Sequence, residues 1–337
     1  MGVKKYPIYQ HGPLFPFLFN AISQQAVKGT AGVMFFKERF TTAAGEEGLK
    51  LRCTAKVNLY LKVLGRRPDG YHELVTVMQP LSLADELTVV FGSGGILLEC
   101  DHPGLPQDAS NLVWRAAQIF AQETGRKNGV QLNLRKKIPV AAGLGGGSSD
   151  AAGTLWALNY LAGNPLNSER LHLLAARLGA DVPFFLTGGP AVGRGTGTRL
   201  TPMALPAYWY LLLNPGVPLA TRWVYENLDL AQLTAIPARE AWDPEHPEGW
   251  VHNDLQSVAV ERFPELKDLL QCLQELGARA QAVSGSGPTI FGLFADLKAA
   301  QSAAQGISRT FSGWMTLCRG LTGQEGDTRW ENQTWMT

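Results

Sequence analysis

Residues 138–152 have the sequence IPVAAGLGGGSSDAA, which combines an apolar segment, a cluster of glycines and the beginning of a helix. Glycine adopts positive φ angles and permits close approach of the backbone, so several amide N–H groups can point at one anion. The N-terminus of the helix, predicted near Ser148, adds about half a positive charge. The hydroxyls of Ser148 and Ser149 can bind phosphate oxygens or Mg²⁺. We therefore predict a phosphate-binding loop between a strand and a helix.

The spacing of this loop excludes two common nucleotide-binding motifs. No Gly-Lys-Ser/Thr follows the glycines, as a Walker A loop requires, and GLGGGS lacks the GxGxxG spacing of a dinucleotide-binding fold. The alternative is an ordinary flexible entry to a helix with a serine cap. Two further glycine segments occur at 193–198 (GRGTGT), predicted as a hairpin turn, and at 284–288 (SGSGP), which by itself also predicts a turn between two apolar strands.

The elements around the loop predict an α+β fold with mixed sheets. Residues 53–65 alternate between apolar side chains and polar ones such as Lys56 and Asn58, which is typical of a strand; for a single lysine, a solvated outer face is the simpler explanation. Neither a regular βαβ series nor an internal repeat occurs. Further strands are predicted at 86–91, 95–100, 129–138, 182–186, 191–195, 209–214, 280–294 (with its glycine turn) and 314–318, and helices at 111–122, 148–161, 169–178, 265–276 and 295–307.

Composition limits the possible functions. The chain has 337 residues, of which 45% are hydrophobic and 18% are charged, as in globular proteins of two domains or one large one. The net charge of +1 does not favour nucleic acid or an anionic membrane as a partner, and no apolar run is long enough for a spanning helix. The four cysteines lie far apart, which indicates free thiols in a reducing cytoplasm. We therefore expect a cytoplasmic enzyme or binding protein.

The two ends of the chain differ from the rest. Residues 1–50 contain a broken apolar stretch without a clear signal cleavage site. We predict either a flexible extension or an over-long start, with Met34 as an alternative initiator. Residues 321–337 are polar and irregular and are predicted to be a tail.

Several side chains are candidates for chemistry. Asp181 lies between a predicted helix end and an apolar segment, where burial or a cation can shift the pKa of a carboxylate, although a capping role is equally plausible. Tyr71 and His72 follow a turn at Pro68–Gly70 and could stack on a base and bind its edge; an aromatic residue at the start of a strand is the simpler alternative. The histidines and cysteines have no metal-ligand spacing, so no protein metal site is predicted.

Three segments together resemble motifs of the GHMP kinase superfamily: AKVNLYL at 55–61, PVAAGLGGGSSDAA at 139–152 and VSGSGPTIFGLF at 283–294. The resemblance implies an α+β, two-domain enzyme. Its N-terminal ribosomal-S5-like, ATP-binding domain would span residues 51–205, and its C-terminal ferredoxin-like domain residues 206–320. ATP and a small-molecule substrate would bind in the cleft between them.

The same resemblance implies roles for individual residues. Lys56 and Asp181 match the catalytic pair, and Asn58, Tyr71, His72 and Tyr225 match positions that bind the substrate. Asn111 would lie near the adenine. The ATP loop would comprise Pro139, Val140, Ala141, Ala142, Gly143, Leu144, Gly145, Gly146, Gly147, Ser148 and Ser149. Two departures are the alanines at 141 and 142, where glycine is common, and the long segment before residue 51.

The implied reaction is the phosphorylation of a small alcohol by ATP and Mg²⁺, with Asp181 accepting the hydroxyl proton and Lys56 stabilising negative charge. The segment DGYH at 69–72 is similar to the segment that binds a cytidine group in some members of this family, and the resemblance therefore implies a cytidine-containing substrate. Two alternatives stay open. One is another kinase of this family, for mevalonate, homoserine or a sugar; the other is a non-catalytic nucleotide-binding relative, which would be expected to lack Lys56 or Asp181. We expect a monomer or weak homodimer.

Overall fold

The computed structural model of the chain describes residues 36–233, 243 and 246–323. In these ranges twelve strands form two sheets, and seven α-helices pack against them. The predicted α+β class is therefore confirmed.

The strands are, in chain order, β1 (Phe36–Thr41), β2 (Glu47–Arg66), β3 (His72–Gly92), β4 (Ile96–Cys100), β5 (Gly129–Arg135), β6 (Ala191–Gly195), β7 (Arg199–Pro202), β8 (Trp209–Asn214), β9 (His252–Asn253), β10 (Ala280–Val283), β11 (Ile290–Phe294) and β12 (Trp314–Arg319). The helices are α1 (Leu112–Thr124), α2 (Gly146–Leu161), α3 (Ser168–Leu178), α4 (Thr221–Glu226), α5 (Gln256–Arg262), α6 (Glu265–Glu275) and α7 (Leu297–Ile307).

The first sheet is built on two long antiparallel strands, β2 and β3. Its main order is β1-β2-β3-β5-β4, with β6 paired to β3, β7 to β6, and the short β9 parallel to β2. Helices α1, α2 and α3 cover one face around a core that includes Phe120, Leu155 and Phe185. The other face packs against the second sheet through residues such as Val57 and Phe291.

Because both faces of β2 are covered, the expectation of a solvated face is wrong. Lys56 and Asn58 are 3% and 4% exposed, as deeply buried as their apolar neighbours. The pairing register between β2 and β3 also shifts between Thr54 and Lys56 and again between Asn58 and Tyr60. Such irregularities redirect side chains locally, so simple alternation does not predict where these two polar groups point.

The second sheet is antiparallel, with the order β10-β11-β8-β12. Helices α5, α6 and α7 pack against it around a third core that includes Leu213, Leu273 and Ile307. The two sheets are joined by polar contacts as well. The buried amide of Gln79 on β3 accepts a hydrogen bond from the Tyr210 hydroxyl at 2.5 Å and donates one to the Pro206 carbonyl at 2.8 Å.

The predicted extension needs a correction. Residues 36–50, assigned to it from the sequence, form β1 and the first part of β2, which pair in an antiparallel hairpin. The buried side chains of Leu49 and Leu51 belong to the first core, which explains why the sheet begins earlier than predicted. Residues 1–35 lie outside the described part, as do residues 324–337 of the predicted tail.

Four local predictions were also inexact. Residues 182–186, predicted as a strand, contain a buried 3₁₀ turn at Pro183–Leu186, where proline lacks the N–H that a sheet interior needs. Ser168 directly precedes the predicted helix 169–178 and was expected to cap it, but it lies within α3, and the cap is Asn167, whose side chain accepts from the Arg170 N–H. Strand β5 ends three residues before Ile138, so no strand leads directly into the glycine loop, and α2 begins at Gly146 rather than near Ser148.

Candidate active site

The glycine loop ends in an uncapped helix N-terminus. Gly143 and Gly145 have φ angles of 76° and 71°, values that side chains rarely allow. A Cβ on Gly143 would lie 2.1 Å from the carbonyl oxygen of Ser284, so only glycine fits there. Helix α2 starts directly after Gly145 without a side-chain cap. The N–H groups of its first turn therefore have no intrahelical acceptor and can bind an anion.

Lys56 and Asp181 meet beside this loop. The Lys56 ammonium lies 3.4 Å from a carboxylate oxygen of Asp181. It also donates hydrogen bonds to Asn58 Oδ1 at 2.6 Å and to the Gly143 carbonyl at 3.1 Å. The Lys56 side chain is 4% exposed, whereas that of Asp181 is 40% exposed. A buried ammonium thus faces an accessible carboxylate at the loop, an arrangement suited to holding an anion and accepting a proton.

Asn58 is held in one orientation by a residue that the sequence did not single out. Its side-chain nitrogen donates to Thr76 Oγ1 at 2.8 Å, and the Thr76 hydroxyl donates to the Tyr60 carbonyl at 2.8 Å. Because the hydroxyl uses its proton on that carbonyl, it must accept from Asn58. The oxygen of Asn58 is therefore directed to Lys56.

A second loop, residues 284–287 between β10 and β11, packs on the glycine loop. The Ser284 hydroxyl donates to the Gly143 carbonyl at 3.0 Å, the same oxygen that accepts from Lys56. The Ser286 and Thr221 hydroxyls lie 2.7 Å apart. The segment 284–288 is thus a turn, as predicted, and it also belongs to the site.

These elements line a cleft of about 530 Å³. The following predicted site residues line it: Lys56, Asn58, Asn111, Pro139, Val140, Ala141, Ala142, Gly143, Gly145, Gly146, Gly147, Ser148, Asp181 and Tyr225. Leu144 is instead buried, and its carbonyl accepts from the Lys56 backbone N–H at 2.9 Å. Ser149 is also buried, and its hydroxyl has no hydrogen-bond partner in the described part of the chain.

Asn111 has a structural task in addition to its place in the cleft. Its side-chain oxygen accepts from the Val113 N–H at 2.9 Å and caps α1, and its nitrogen donates to the Pro106 carbonyl at 2.7 Å. Both polar atoms of the Asn111 side chain are therefore occupied by hydrogen bonds to the backbone.

The predicted aromatic residues lie near one another but in different environments. The rings of His72 and Tyr225 stack, with centroids 5.1 Å apart and planes 28° from parallel. Partial burial and the nearby Arg66 charge lower the pKa of His72, which favours a neutral imidazole. Tyr71, in contrast, is 65% exposed on the turn before β3. The structure thus brings His72 and Tyr225 together and leaves Tyr71 outside their stack.

A buried ionic cluster beneath the loop was missed at the sequence level. The Lys136 ammonium contacts Asp85 on β3 and Asp150 on α2, the latter at 2.7 Å, and all three side chains are almost fully buried. Asp85 also accepts from the N–H groups of Lys137 and Ile138. Burial and the neighbouring Asp85 raise the pKa of Asp150, against the opposing effect of Lys136. The cluster fixes both ends of the glycine loop, and its only sequence signal was the position of Lys136 and Asp150 beside the motif.

The donor set near the loop fits a metal ion carried by phosphates. Among the described residues, no group of three or more histidine, cysteine or acidic side chains could hold a metal ion. Hydroxyl oxygens are nevertheless present at Ser148, in the cleft, and at Ser149, whose buried hydroxyl is unpartnered. Mg²⁺ prefers oxygen ligands and usually binds proteins through few side chains together with substrate phosphates. The residues therefore fit Mg²⁺ bound with a nucleotide.

Comparison with known proteins gives consistent matches. The family model "GHMP kinases N terminal domain" matches residues 111–189, and "GHMP kinases C terminal" matches residues 237–313. A 4-diphosphocytidyl-2-C-methyl-D-erythritol kinase of Geobacter sp. (strain M21) is 44% identical over 271 residues, which are 79% of this chain and 96% of that protein.

Two solved structures are similar in fold. A crystal structure of 4-(cytidine 5'-diphospho)-2C-methyl-D-erythritol kinase superimposes with a TM-score of 0.70 and 38% identity, over 81% of this chain and 99% of the other. A homoserine kinase from Cytophaga hutchinsonii has a TM-score of 0.64 but only 19% identity, over 83% and 96% of the two chains. The second match supports the fold alone.

Proposed function

The chain belongs to the 4-diphosphocytidyl-2-C-methyl-D-erythritol kinases of the GHMP kinase family, and we propose the reaction and the residue roles that follow from its cleft. It transfers a phosphoryl group from ATP to the 2-hydroxyl of 4-diphosphocytidyl-2-C-methyl-D-erythritol. This step belongs to the methylerythritol phosphate pathway of isoprenoid precursor synthesis. The observation that best supports the roles is the Lys56–Asp181 pair beside the glycine loop.

The glycine loop and the start of α2 hold the triphosphate. Phosphoryl transfer depends mainly on positioning and on neutralising charge, since the protein performs little covalent chemistry. The uncapped N–H groups after Gly145 supply both, because they are fixed in direction and carry partial positive charge. Lys56 adds a full positive charge next to the Gly143 carbonyl.

Asp181 accepts the proton of the attacking hydroxyl. Its carboxylate is accessible from the cleft, and Lys56 stabilises its negative charge at 3.4 Å. As the hydroxyl oxygen gives its proton to Asp181 and bonds to the γ-phosphorus, the bond from that phosphorus to ADP breaks, and the same ammonium stabilises the negative charge on the transferring group. Lys56 thereby stabilises both the ionised form of Asp181 and the transition state.

Mg²⁺ is the proposed metal, held by the oxygens of Ser148 and Ser149 together with the phosphates. Bound there, it would neutralise charge on the phosphate oxygens. The two hydroxyls that would hold it lie in the first turn of α2, so the helix start that would bind the nucleotide would also position the ion.

The cytidine end of the substrate is bound away from the chemistry. We assign recognition of the cytidine to Tyr71, His72 and Tyr225. We also assign Asn58 to binding of the substrate. The stacked His72 and Tyr225 rings provide an apolar surface suited to a nucleobase, and Tyr71, which precedes His72 in the chain, is exposed and accessible to a ligand. Binding energy at this remote end can orient the hydroxyl for in-line attack.

The two alternatives have less support. Mevalonate, homoserine and sugar kinases share the fold, but the homoserine kinase match has 19% identity, against 38–44% for the cytidine-dependent enzymes. A non-catalytic relative would be expected to lack Lys56 or Asp181, and the chain has both in contact.

An assay of ATP-dependent phosphorylation over a panel of alcohols tests the function. We expect turnover of 4-diphosphocytidyl-2-C-methyl-D-erythritol and none of mevalonate or homoserine at equal concentration. Turnover of mevalonate or homoserine alone would replace the proposal by the first alternative, and ATP binding without any turnover would replace it by the second.

Two further predictions concern the protein in the cell. The composition and the reaction favour the cytoplasm, and we propose a monomer or weak homodimer. No helix in the part of the chain that the structure describes is long and apolar enough to span a membrane.

A further inference from the structure

Residues 252–254, between a 3₁₀ turn at Pro247–Gly249 and α5, lie outside the cleft but contact two parts of the site. The side chain of Asn253 is 6% exposed and lies behind the loop 284–287. Its nitrogen donates hydrogen bonds to the carbonyls of Val283 and Gly285, each at 2.7 Å. Its oxygen accepts from the Leu255 N–H at 2.9 Å, which fixes the orientation of the amide.

The segment itself is fixed to the strand that contains the catalytic lysine. Asp254 accepts from the Val63 N–H at 2.7 Å and from His252 Nε2 at 2.6 Å, and it lies 3.4 Å from the Lys62 ammonium. Burial raises the pKa of Asp254, but its two hydrogen bonds and the Lys62 charge outweigh that effect and lower the pKa overall. An ionised Asp254 therefore holds residues 252–254 on β2.

The loop 284–287 that Asn253 holds makes direct contact with the catalytic groups. A Cβ on Gly285, whose φ is 56°, would lie 3.1 Å from Asn58 Oδ1 and 3.4 Å from Lys56 Nζ. The adjacent Ser284 hydroxyl donates to the Gly143 carbonyl, which also accepts from Lys56. The backbone of this loop thus forms one wall around the Lys56 ammonium.

We propose that Asn253 is a positioning residue for phosphoryl transfer: by holding the carbonyls of Val283 and Gly285, it keeps loop 284–287 against Lys56 and the glycine loop. Asn253 itself does not line the cleft. Since buried carbonyls that lose their donors move to find new ones, removal of the amide releases the loop. The released loop no longer confines the ammonium relative to Asp181 and the phosphates.

The role rests on the proposed function of Lys56, so the test includes a readout that does not depend on turnover. Asn253→Ala is compared with Asn159→Ala, which removes a matched buried amide. Asn159 donates to the Leu166 carbonyl at 3.0 Å and accepts from its N–H at 2.9 Å, at the far end of α2. Hydrogen–deuterium exchange is measured for the backbone of residues 142–145 and 284–287.

We expect Asn253→Ala to speed exchange in both segments and to lower kcat by roughly 10- to 100-fold, as misplacement of a reacting group does. The KM for the alcohol should stay within about threefold of the wild type, since Tyr71, His72 and Tyr225, which are assigned to the cytidine, are not altered. Asn159→Ala should lose similar thermal stability without either effect. Unchanged exchange at 142–145, or equal kcat in the two variants, would overturn the proposal.

A double-mutant cycle with Ser284→Ala provides a second test that needs only mild substitutions. Asn253 and Ser284 act through the same loop, so their combined effect on kcat should be clearly smaller than the product of the single effects. Independent, multiplicative effects would contradict a shared path. If exchange responds as expected but the wild type phosphorylates none of the tested alcohols, the proposed function fails while the link from Asn253 to the glycine loop stands.

Discussion

Replacing Gly143 by alanine tests whether close contact between the two glycine-rich loops sets the catalytic geometry. The new Cβ would lie 2.1 Å from the Ser284 carbonyl oxygen, whereas real Cβ contacts essentially never fall below 3.0 Å. The two loops must therefore separate by about 0.9 Å. The three atoms nearest to this Cβ, which are the Ser284 oxygen and the Gly287 nitrogen and oxygen, all belong to the backbone, so no side-chain rotation relieves the overlap.

This separation should reduce catalysis far more than stability. The alanine has to adopt a φ near 76°, which costs about 1–2 kcal/mol of folding stability. The Gly143 carbonyl also shifts relative to Lys56 and Ser284, which both donate to it. A displacement of this size at a reacting group lowers kcat by about 100-fold.

Gly163→Ala is the matched control. Gly163 has a φ of 82°, but a Cβ there would meet no atom within 4 Å. Steady-state kinetics and thermal melting of both variants separate the two effects. Gly163→Ala should lose only the melting temperature that its positive φ costs and keep its kcat, whereas Gly143→Ala should lose somewhat more melting temperature and about 100-fold in kcat. Equal kinetic constants in the two variants would refute the claim that loop contact positions the site.

Two other substitutions test the cluster beneath the loop and the cytidine subsite. Lys136→Met leaves two buried carboxylates without a cation and should lower the free energy of unfolding, measured by urea titration, by about 3–5 kcal/mol. The control Lys137→Met removes an exposed lysine next to it and should change the free energy of unfolding little. Equal losses in the two variants would contradict the role of the buried cluster. Tyr225→Ala removes the partner of the His72 ring and should raise the KM for the cytidine substrate while leaving that for ATP unchanged. Trp223→Ala on the same helix is its control, and an unaltered substrate KM in Tyr225→Ala would argue against stacking.

The sequence predicted many of the residues that line the cleft, but few of the contacts that support them. The glycine loop could be found because glycines and serines at a helix start have a local physical meaning, and the resemblance supplied Lys56 and Asp181 as its partners. In the structure the Lys56 ammonium lies 3.4 Å from the Asp181 carboxylate.

The burial of β2 on both faces could not be predicted locally. Alternation along the strand indicates one covered face, but the second face is covered by a sheet whose strands β8, β10, β11 and β12 lie far along the chain. The structural roles of Asn253 and Asp85 could not be predicted locally either, because their hydrogen-bond partners are distant in sequence. Short segments such as 182–186 also satisfy the patterns of a strand and a buried turn equally well.

The kcat of Asp181→Asn with saturating ATP and 4-diphosphocytidyl-2-C-methyl-D-erythritol measures the central claim most directly. The substitution keeps shape at an accessible side chain, so folding and ATP affinity should be retained. We predict a fall in kcat of about 10²–10⁴-fold, as for removal of a general base. A variant that turns over within a few fold of the wild type would contradict the assignment of Asp181 and with it the proposed mechanism.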